Sequence, residues 1–438
     1  MSALTALLVF LISFALVAVL FRMPVSFALG TSSLLVLAYA GFQLVTVPQF
    51  AFSGLDSFAL LAIPFYIFAG VIMEYSGISK MLIDWVKSFV GRVRGATGII
   101  TTCACMAFGV LTGSAMATIS AIGKMMVPEL EKEGYPHGYS SALLAATCFL
   151  GILIPPSVPG IMYALASGAK ITPVWMSTIG PAFIFAIGYF IINYFRIGRH
   201  QARPEKVEFH PTAKLLEIGK STIYAIPALL MPIIIIGGVM GGIFTATEAG
   251  AVACVYGLIV SVFVYKSMSF KDLINVLRSA SVNMAMVMMI IGFSSIFSYI
   301  FALEGMGQKI VDFMLSITTS PTGLFFLVIA FMVVIGCFME SLAALPIILP
   351  IIYPMFASLG VNLNQLGVVF ALSTVLGGLT PPVGIYLFLS MNLTGSKMRD
   401  TVLPHMLIVI GIMLLVIVLC ILLPIPQFLP DLVFGAAT

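Results

Sequence analysis

The sequence predicts an all-α polytopic membrane protein of about ten or eleven transmembrane segments plus two re-entrant helical hairpins, in two inverted-topology repeats. Three observations lead there. First, 61% of the 438 residues are hydrophobic and only 8% are charged, against roughly 25% charged in a soluble protein. Second, apolar runs of about 18 residues or more recur from one end of the chain to the other. Third, the break Leu376-Gly377-Gly378-Leu379-Thr380-Pro381-Pro382-Val383-Gly384 sits inside an apolar run, and Gly151-Ile152-Leu153-Ile154-Pro155-Pro156-Ser157 repeats it at an offset of 226. Paired prolines and glycines stop a helix. At membrane depth a broken backbone survives only where it is buried in protein or lines a cavity. A β-barrel would show short alternating segments instead. The net charge of +4 is no nucleic-acid signature, because the basic residues lie in loops between spans.

In chain order, spans are expected at 4–21, 25–45 and 58–73. Residues 74–90 mix apolar positions with Glu74, Lys80, Asp84 and Lys87, which suits an amphipathic helix at the interface. The stretch 96–127 is too long for one span of ~20 residues and too short for two. With Gly109 and Thr112-Gly113-Ser114 interrupting it, it reads as a re-entrant hairpin or as one long tilted helix with a glycine kink. The first broken helix is 138–168, and 172–195 is a span. Residues 196–220, the most charged stretch, form a linker. Spans follow at 223–243 and 247–265, the first ending in two overlapping GxxxG pairs around Gly237–Gly242 that favour close helix contact. After a loop at 266–278 come a span at 280–303 and an amphipathic stretch at 304–316. A second interrupted segment, 322–356, breaks near Met339-Glu340-Ser341, ahead of the second broken helix, 366–394, and a last span, 402–423.

The order of elements is the same in 1–205 and 206–438, and Pro128, Gly134 and Gly151 match Pro354, Gly360 and Gly377 at the common offset. With Arg22 on the cytoplasmic side and each hairpin returning to its own side, only Lys170 and Lys309 of the 20 Lys and Arg residues face outward. That bias inverts the halves, points the hairpin tips at each other and puts both termini outside.

Half-helix N-termini suit an anionic substrate, and unwound carbonyls suit Na⁺. Gly377 and Gly378 let carbonyls turn toward an ion, and Ser114, Thr118, Ser157, Ser341 and Thr380 offer side-chain oxygens for ion or substrate. Such hard oxygen donors fit a monovalent cation and no transition metal. Glu340 is the one acid at a hairpin tip. It is open to a functional reading as an intramembrane acid and to a structural one, bonded to hairpin N–H groups or lying in water. Glu248 suits a helix N-terminus, and Lys124 suits snorkelling to the cytoplasmic surface. The six cysteines fall in apolar segments without metal spacing. Ser114 has no intramembrane His as a base and the chain has no phosphate-binding loop, so no enzyme activity and no ATP hydrolysis are expected.

The segment 109–128 with Gly113-Ser114, the segment 151–157, and above all Gly377-Gly378-Leu379-Thr380-Pro381-Pro382-Val383-Gly384 resemble the large membrane subunit of a TRAP (tripartite ATP-independent periplasmic) transporter of the C4-dicarboxylate/sialic-acid type, along essentially the whole chain. The resemblance implies a bacterial inner-membrane symporter in which two or more Na⁺ ions drive uptake of an organic acid: a C4-dicarboxylate, sialic acid or another sugar acid. It implies two partners, a periplasmic binding protein that delivers the substrate and a small four-helix membrane subunit, here expected as a separate chain. It implies elevator motion of a transport domain, made of both hairpins and both broken helices, against a scaffold. Carried over by motif, one Na⁺ site takes Gly113, Ser114, Gly151, Ile154 and Pro155, and the other takes Glu340, Ser341, Gly377, Gly378, Thr380 and Pro381. The rival expectation is a stand-alone Na⁺-driven carboxylate transporter of a related inverted-hairpin family, without a binding protein.

Overall fold

The computed structural model describes residues 23–41, 45–90, 93–198, 211–303, 305–337, 339–381 and 384–435, with isolated positions among the first 21. The expected span 4–21 therefore lies largely outside the described residues, as do the middle of the linker with the boundary between the halves, Glu304, Pro382 and Val383. Among the described residues every regular element is helical. Among the described residues seven helices are long and apolar enough to cross a membrane, or up to nine if each of two bent pairs is one span. Val25–Tyr39, Ala96–Thr112, Leu363–Gly378 and Ile385–Thr394 are shorter apolar helices.

The first half contains α1 (Val25–Tyr39), α2 (Thr46–Leu55), α3 (Ala62–Tyr75) and α4 (Ile78–Val90). The first hairpin is α5 (Ala96–Thr112) and α6 (Ala115–Lys132), packed along each other. The first broken helix is α7 (His137–Thr147), one further turn (Leu150–Leu153) and α8 (Val158–Ser167), bent by 52°. After it comes α9 (Ile171–Asn193). The second half contains α10 (Pro211–Met240), α11 (Ala246–Ile259), α12 (Phe270–Leu303) and α13 (Met306–Ile317). Next are the second hairpin, α14 (Pro321–Gly336) and α15 (Ser341–Ser358), and the second broken helix, α16 (Leu363–Gly378) and α17 (Ile385–Thr394). The described chain closes with α18 (Leu407–Leu422) and α19 (Ile425–Phe434).

Several boundaries move for local reasons. Charges read as loop residues belong to helix ends that reach past the apolar layer. Helix α12 starts at Phe270, where Asp272 accepts from the Ser269 N–H at 2.9 Å and the Ser269 hydroxyl accepts from the Asp272 N–H at 3.3 Å. The first turns of α10 carry the Lys214–Glu217 pair at 3.1 Å. Glu74 ends α3 rather than opening the amphipathic helix, because the turn at Ser76-Gly77 starts α4 only at Ile78. Glu248 holds its helix N-terminus in a capping box with Thr245. Gly109 stays helical, so α5 is interrupted only at Gly113-Ser114. Two helices were not foreseen. One is α2, whose Phe50 ring stacks on Tyr299 of α12 at 3.7 Å, and the other is α19, which packs on α9.

Two groups of helices emerge from the packing. Helix α12 lies against α1, α2 and α3, α3 lies against α11, and α10 joins α11 to α4. The hairpins and broken helices interlock reciprocally: α6 packs on α17 of the other half, and α15 packs on α8. Each hairpin's first arm also crosses its own broken helix, backbone against backbone. A Cβ on Gly109 would stand 2.3 Å from Gly151 Cα, and one on Gly377 would stand 2.6 Å from Gly336 Cα. The groups meet where α3 and α4 touch α5, where α3 touches α8 and where α12 touches α15.

Candidate functional site

The first break is tied down by side chains. The Ser157 hydroxyl caps α8 by accepting from the Gly160 N–H at 3.2 Å. From α9, the Trp175 indole N–H donates to the Ser157 carbonyl at 3.1 Å, and the Thr178 hydroxyl donates to the Leu153 carbonyl. The facing hairpin turns through Gly113 at φ +60°, a left-handed value that glycine adopts without strain. A Cβ there would stand 3.7 Å from the Pro156 carbonyl oxygen, so tip and break are in contact. Ser114 then caps α6, its hydroxyl accepting from the Ala117 N–H at 3.3 Å. The Thr118 hydroxyl donates back to the Ser114 carbonyl at 2.8 Å.

The second break is held by its own backbone. The Thr380 N–H donates to the Gly377 carbonyl at 2.9 Å, and the Thr380 hydroxyl donates to the Leu376 carbonyl at 2.7 Å. The Thr380 and Gly378 carbonyl oxygens converge on Gly384 (φ +47°), where a Cβ would meet them at 3.0 and 3.4 Å. The Pro381 carbonyl accepts weakly from the Cys337 thiol at 3.8 Å.

At the second hairpin tip, the Glu340 carbonyl accepts from the Ala343 and Ala344 N–H groups, but its carboxylate does not cap α15. That removes the structural reading in which the acid bonds the hairpin N–H groups. The carboxylate lies instead beside the hydroxyl of Tyr386 on α17.

Both tips open on one cavity of about 620 Å³. Thr112, Gly113 and Ser114 line it from one hairpin, and Met339, Glu340 and Ser341 line it from the other. Val158 and Pro159 of α8 and Ile385 and Leu389 of α17 join them. The opposite wall is made by α1, α3 and α12, through Ser26, Gly70, Glu74, Ser279 and Asn283. Among its described lining residues there is no Lys or Arg. Gly70 closes the seam: a Cβ on it would stand 2.6 Å from the Thr112 carbonyl oxygen.

Of the hydroxyls singled out from sequence, Ser114 and Ser341 line the cavity. Thr118, Ser157 and Thr380 lie outside it, at 0% exposure, at 3% exposure and bonded to Leu376 respectively. Gly151 and Gly377 sit at helix crossings, and Ile154 and Pro155 form the turn that follows Gly151. Lys124 is exposed. Sequence reasoning passed over Glu74, Asn283, Trp175, Thr178 and Tyr386. Asn283 carried a legible signal, a polar side chain within an apolar run. Tyr386 carried none.

The family model of the tripartite ATP-independent periplasmic transporter, DctM component, matches residues 11–425. The isethionate TRAP transporter permease DctMQ of Oleidesulfovibrio alaskensis is 32% identical over 90% of this chain, which spans only 62% of that relative's length. The C4-dicarboxylate large permease DctM of Pseudomonas aeruginosa is 32% identical over 82% of this chain and 84% of its own. The sialic acid large permease SiaM of Vibrio cholerae is 31% identical over 87% and 88%. In fold, the chain is similar to the crystal structure of the Alcanivorax borkumensis YdaH transporter, with a TM-score of 0.58, 16% identity and coverage of 91% of this chain and 89% of that one. With a cavity gathered between two hairpin tips and a match along nearly its whole length, the chain belongs to the DctM family of tripartite ATP-independent periplasmic transporters, as a transport protein rather than an enzyme.

Proposed function

We propose that this chain imports an organic acid across the bacterial inner membrane, coupled to Na⁺ entry, with substrate handed over by a periplasmic binding protein. A separate small membrane subunit braces the scaffold. One observation carries the reading: two inverted hairpin tips share a cavity with a wall of helices that pack among themselves. Helix N-termini at Ser114 and Ser341 present N–H groups to a carboxylate or sulfonate. Cations at the two breaks offset Glu340 and the substrate's charge, which suits a cavity without a described basic residue. Both hairpins and both broken helices move together past α3 and α12, carrying the cavity from one side to the other. Each Na⁺ entering down the potential supplies about 2.3 kcal/mol per 100 mV.

The test is uptake of labelled C4-dicarboxylates, sialic acid, sugar acids and isethionate into proteoliposomes holding this chain and its small subunit. Na⁺ or K⁺ is supplied outside, with the binding protein present or absent. Uptake that needs both Na⁺ and the binding protein is the expected result. Uptake without the binding protein assigns the chain a stand-alone mechanism, and uptake indifferent to Na⁺ removes the coupling ion.

A further inference from the structure

The cavity has two unlike walls. On the hairpin side stand the helix N-termini at Ser114 and Ser341, the helix ends that favour negative charge. On the opposite wall α12 contributes Ser279, Asn283, Met286, Val287 and Ile290. These positions recur at helical spacing, so they share one face. That face is polar over its first turn and apolar after it. Ser26 of α1 and Glu74 of α3 line the same cavity.

Asn283 is the one side chain with N–H groups among the described lining residues. It lies within a candidate span, Phe270–Ile300, where a polar side chain without a partner is costly and marks a functional position. The residue is exposed to the cavity and its carboxamide makes no hydrogen bond to another described residue.

The charges are lopsided. Glu74 and Glu340 both line the cavity, and no Lys or Arg does among the described residues. Lys124 of α6 lies near enough to Glu74 to offset part of its charge, yet it does not line the cavity. A substrate with one anionic group places it at the hairpin tips. A second anionic group would face Glu74 and a wall of uncharged side chains, and a desolvated charge needs a partner. Hydroxyls fit that wall instead. The Asn283 carboxamide and the Ser279 and Ser26 hydroxyls each donate and accept, and Glu74 accepts.

We propose that the substrate is a monoanionic acid with a hydroxyl-bearing tail, and that Asn283, Ser279 and Glu74 read the tail. The proposal rests on the organic-acid import reading and narrows it, setting hydroxylated acids apart from C4-dicarboxylates. The hairpin tips hold the anionic end that all these acids share, and the far wall decides among them. A site built to hydrogen-bond a hydroxyl discriminates strongly against a compound that lacks it, because its own polar groups are then left unpaired. Helices α3 and α12 belong to the group against which the hairpins pack. The tail contacts are therefore made only while the cavity lies at this wall, and they favour this conformation over others.

The experiment is thermal unfolding of the full chain purified in detergent at constant NaCl, with the small subunit where the two copurify. Gluconate, N-acetylneuraminate and isethionate, each a monoanion bearing hydroxyl, are titrated beside the dianion succinate. At least one hydroxylated acid is expected to raise the midpoint at a concentration where succinate does not. For that acid, Asn283→Ala needs about fivefold more ligand for the same rise, the worth of one hydrogen bond. Ser279→Ala shifts the response in the same direction. Glu74→Gln removes the repulsion and lets succinate raise the midpoint, a gain that a purely structural role would not produce. Succinate matching the hydroxylated acids on the wild type overturns the proposal. So does an unchanged response in both Asn283→Ala and Ser279→Ala. Either result leaves organic-acid import standing. A wild-type midpoint indifferent to all four acids fails at the earlier step, the organic-acid reading itself.

Discussion

The two breaks differ in how they are held. Both halves cross a hairpin arm and a broken helix at a glycine pair, Gly109 on Gly151 and Gly336 on Gly377. Around that shared crossing the first break is braced by Trp175 and Thr178 of a neighbouring helix, and its cap hydroxyls are satisfied. The second break lacks matching braces among the described residues and leaves Ser341 and Tyr386 unpartnered next to an acid. Inverted repeats thus keep the backbone geometry that makes two sites while the side chains diverge. The first break is tied down by side chains of a neighbouring helix, and the second leaves two buried hydroxyls unpaired.

The comparison breaks most severely at what the halves share. Gly151→Val places branched carbon against the Gly109 backbone, where even a Cβ would sit 2.1 Å from Gly109 Cα. The expected cost is above about 3 kcal/mol, beyond ordinary overpacking, and Gly377→Val is expected to match it. Membrane yield and size-exclusion profile check this, and a well-folded Gly151→Val variant would refute the crossing.

Next in size is Glu340→Gln, expected to lower Na⁺-driven uptake at least about tenfold, or about 1.4 kcal/mol, with insertion unchanged. Normal rates would return Glu340 to a structural role. Gly70→Ala tests the seam, since its Cβ presses on the Thr112 carbonyl. Overpacking of about 1–2 kcal/mol there slows uptake several-fold but leaves membrane yield and the size-exclusion profile unchanged. Loss of uptake together with yield would give Gly70 a role in the fold alone.

The smallest effects sharpen the difference in bracing. Trp175→Phe removes the bond to the Ser157 carbonyl and is expected to lower the thermal midpoint by an amount worth about 1 kcal/mol of stability. Ser114→Ala removes a cap worth about 1 kcal/mol and is expected to weaken the Na⁺ dependence of uptake modestly. Unchanged Na⁺ activation in Ser114→Ala and in Thr380→Ala would leave both hydroxyls with a structural role alone.

Much of this was legible in the chain itself. Bilayer thickness turns apolar run length into spans, and Pro155-Pro156 and Gly377-Gly378 announce breaks because few other residues stop a helix. The repeat is legible for the same reason, since prolines and glycines mark backbone geometry. The misread stretches were those where charge was taken for a loop, as at Asp272 and Lys214, although a helix continues past the membrane surface at no cost to its backbone bonds. Glu74 was misplaced because one turn at Gly77 decides which helix it ends.

Sequence alone thus determined the class of the protein and the position of its two interruptions, but not the glycines at which helices touch. Those are Gly109, Gly151, Gly336 and Gly377, whereas a Cβ on the Gly237–Gly242 run would meet only residues of its own turn or nothing. Which hydroxyls face the cavity, and that Tyr386 stands beside Glu340, only the tertiary structure decided. The rotation of each half-helix is set by packing against the opposite repeat, α6 on α17 and α15 on α8. In a segment apolar on every side, no local periodicity records that rotation.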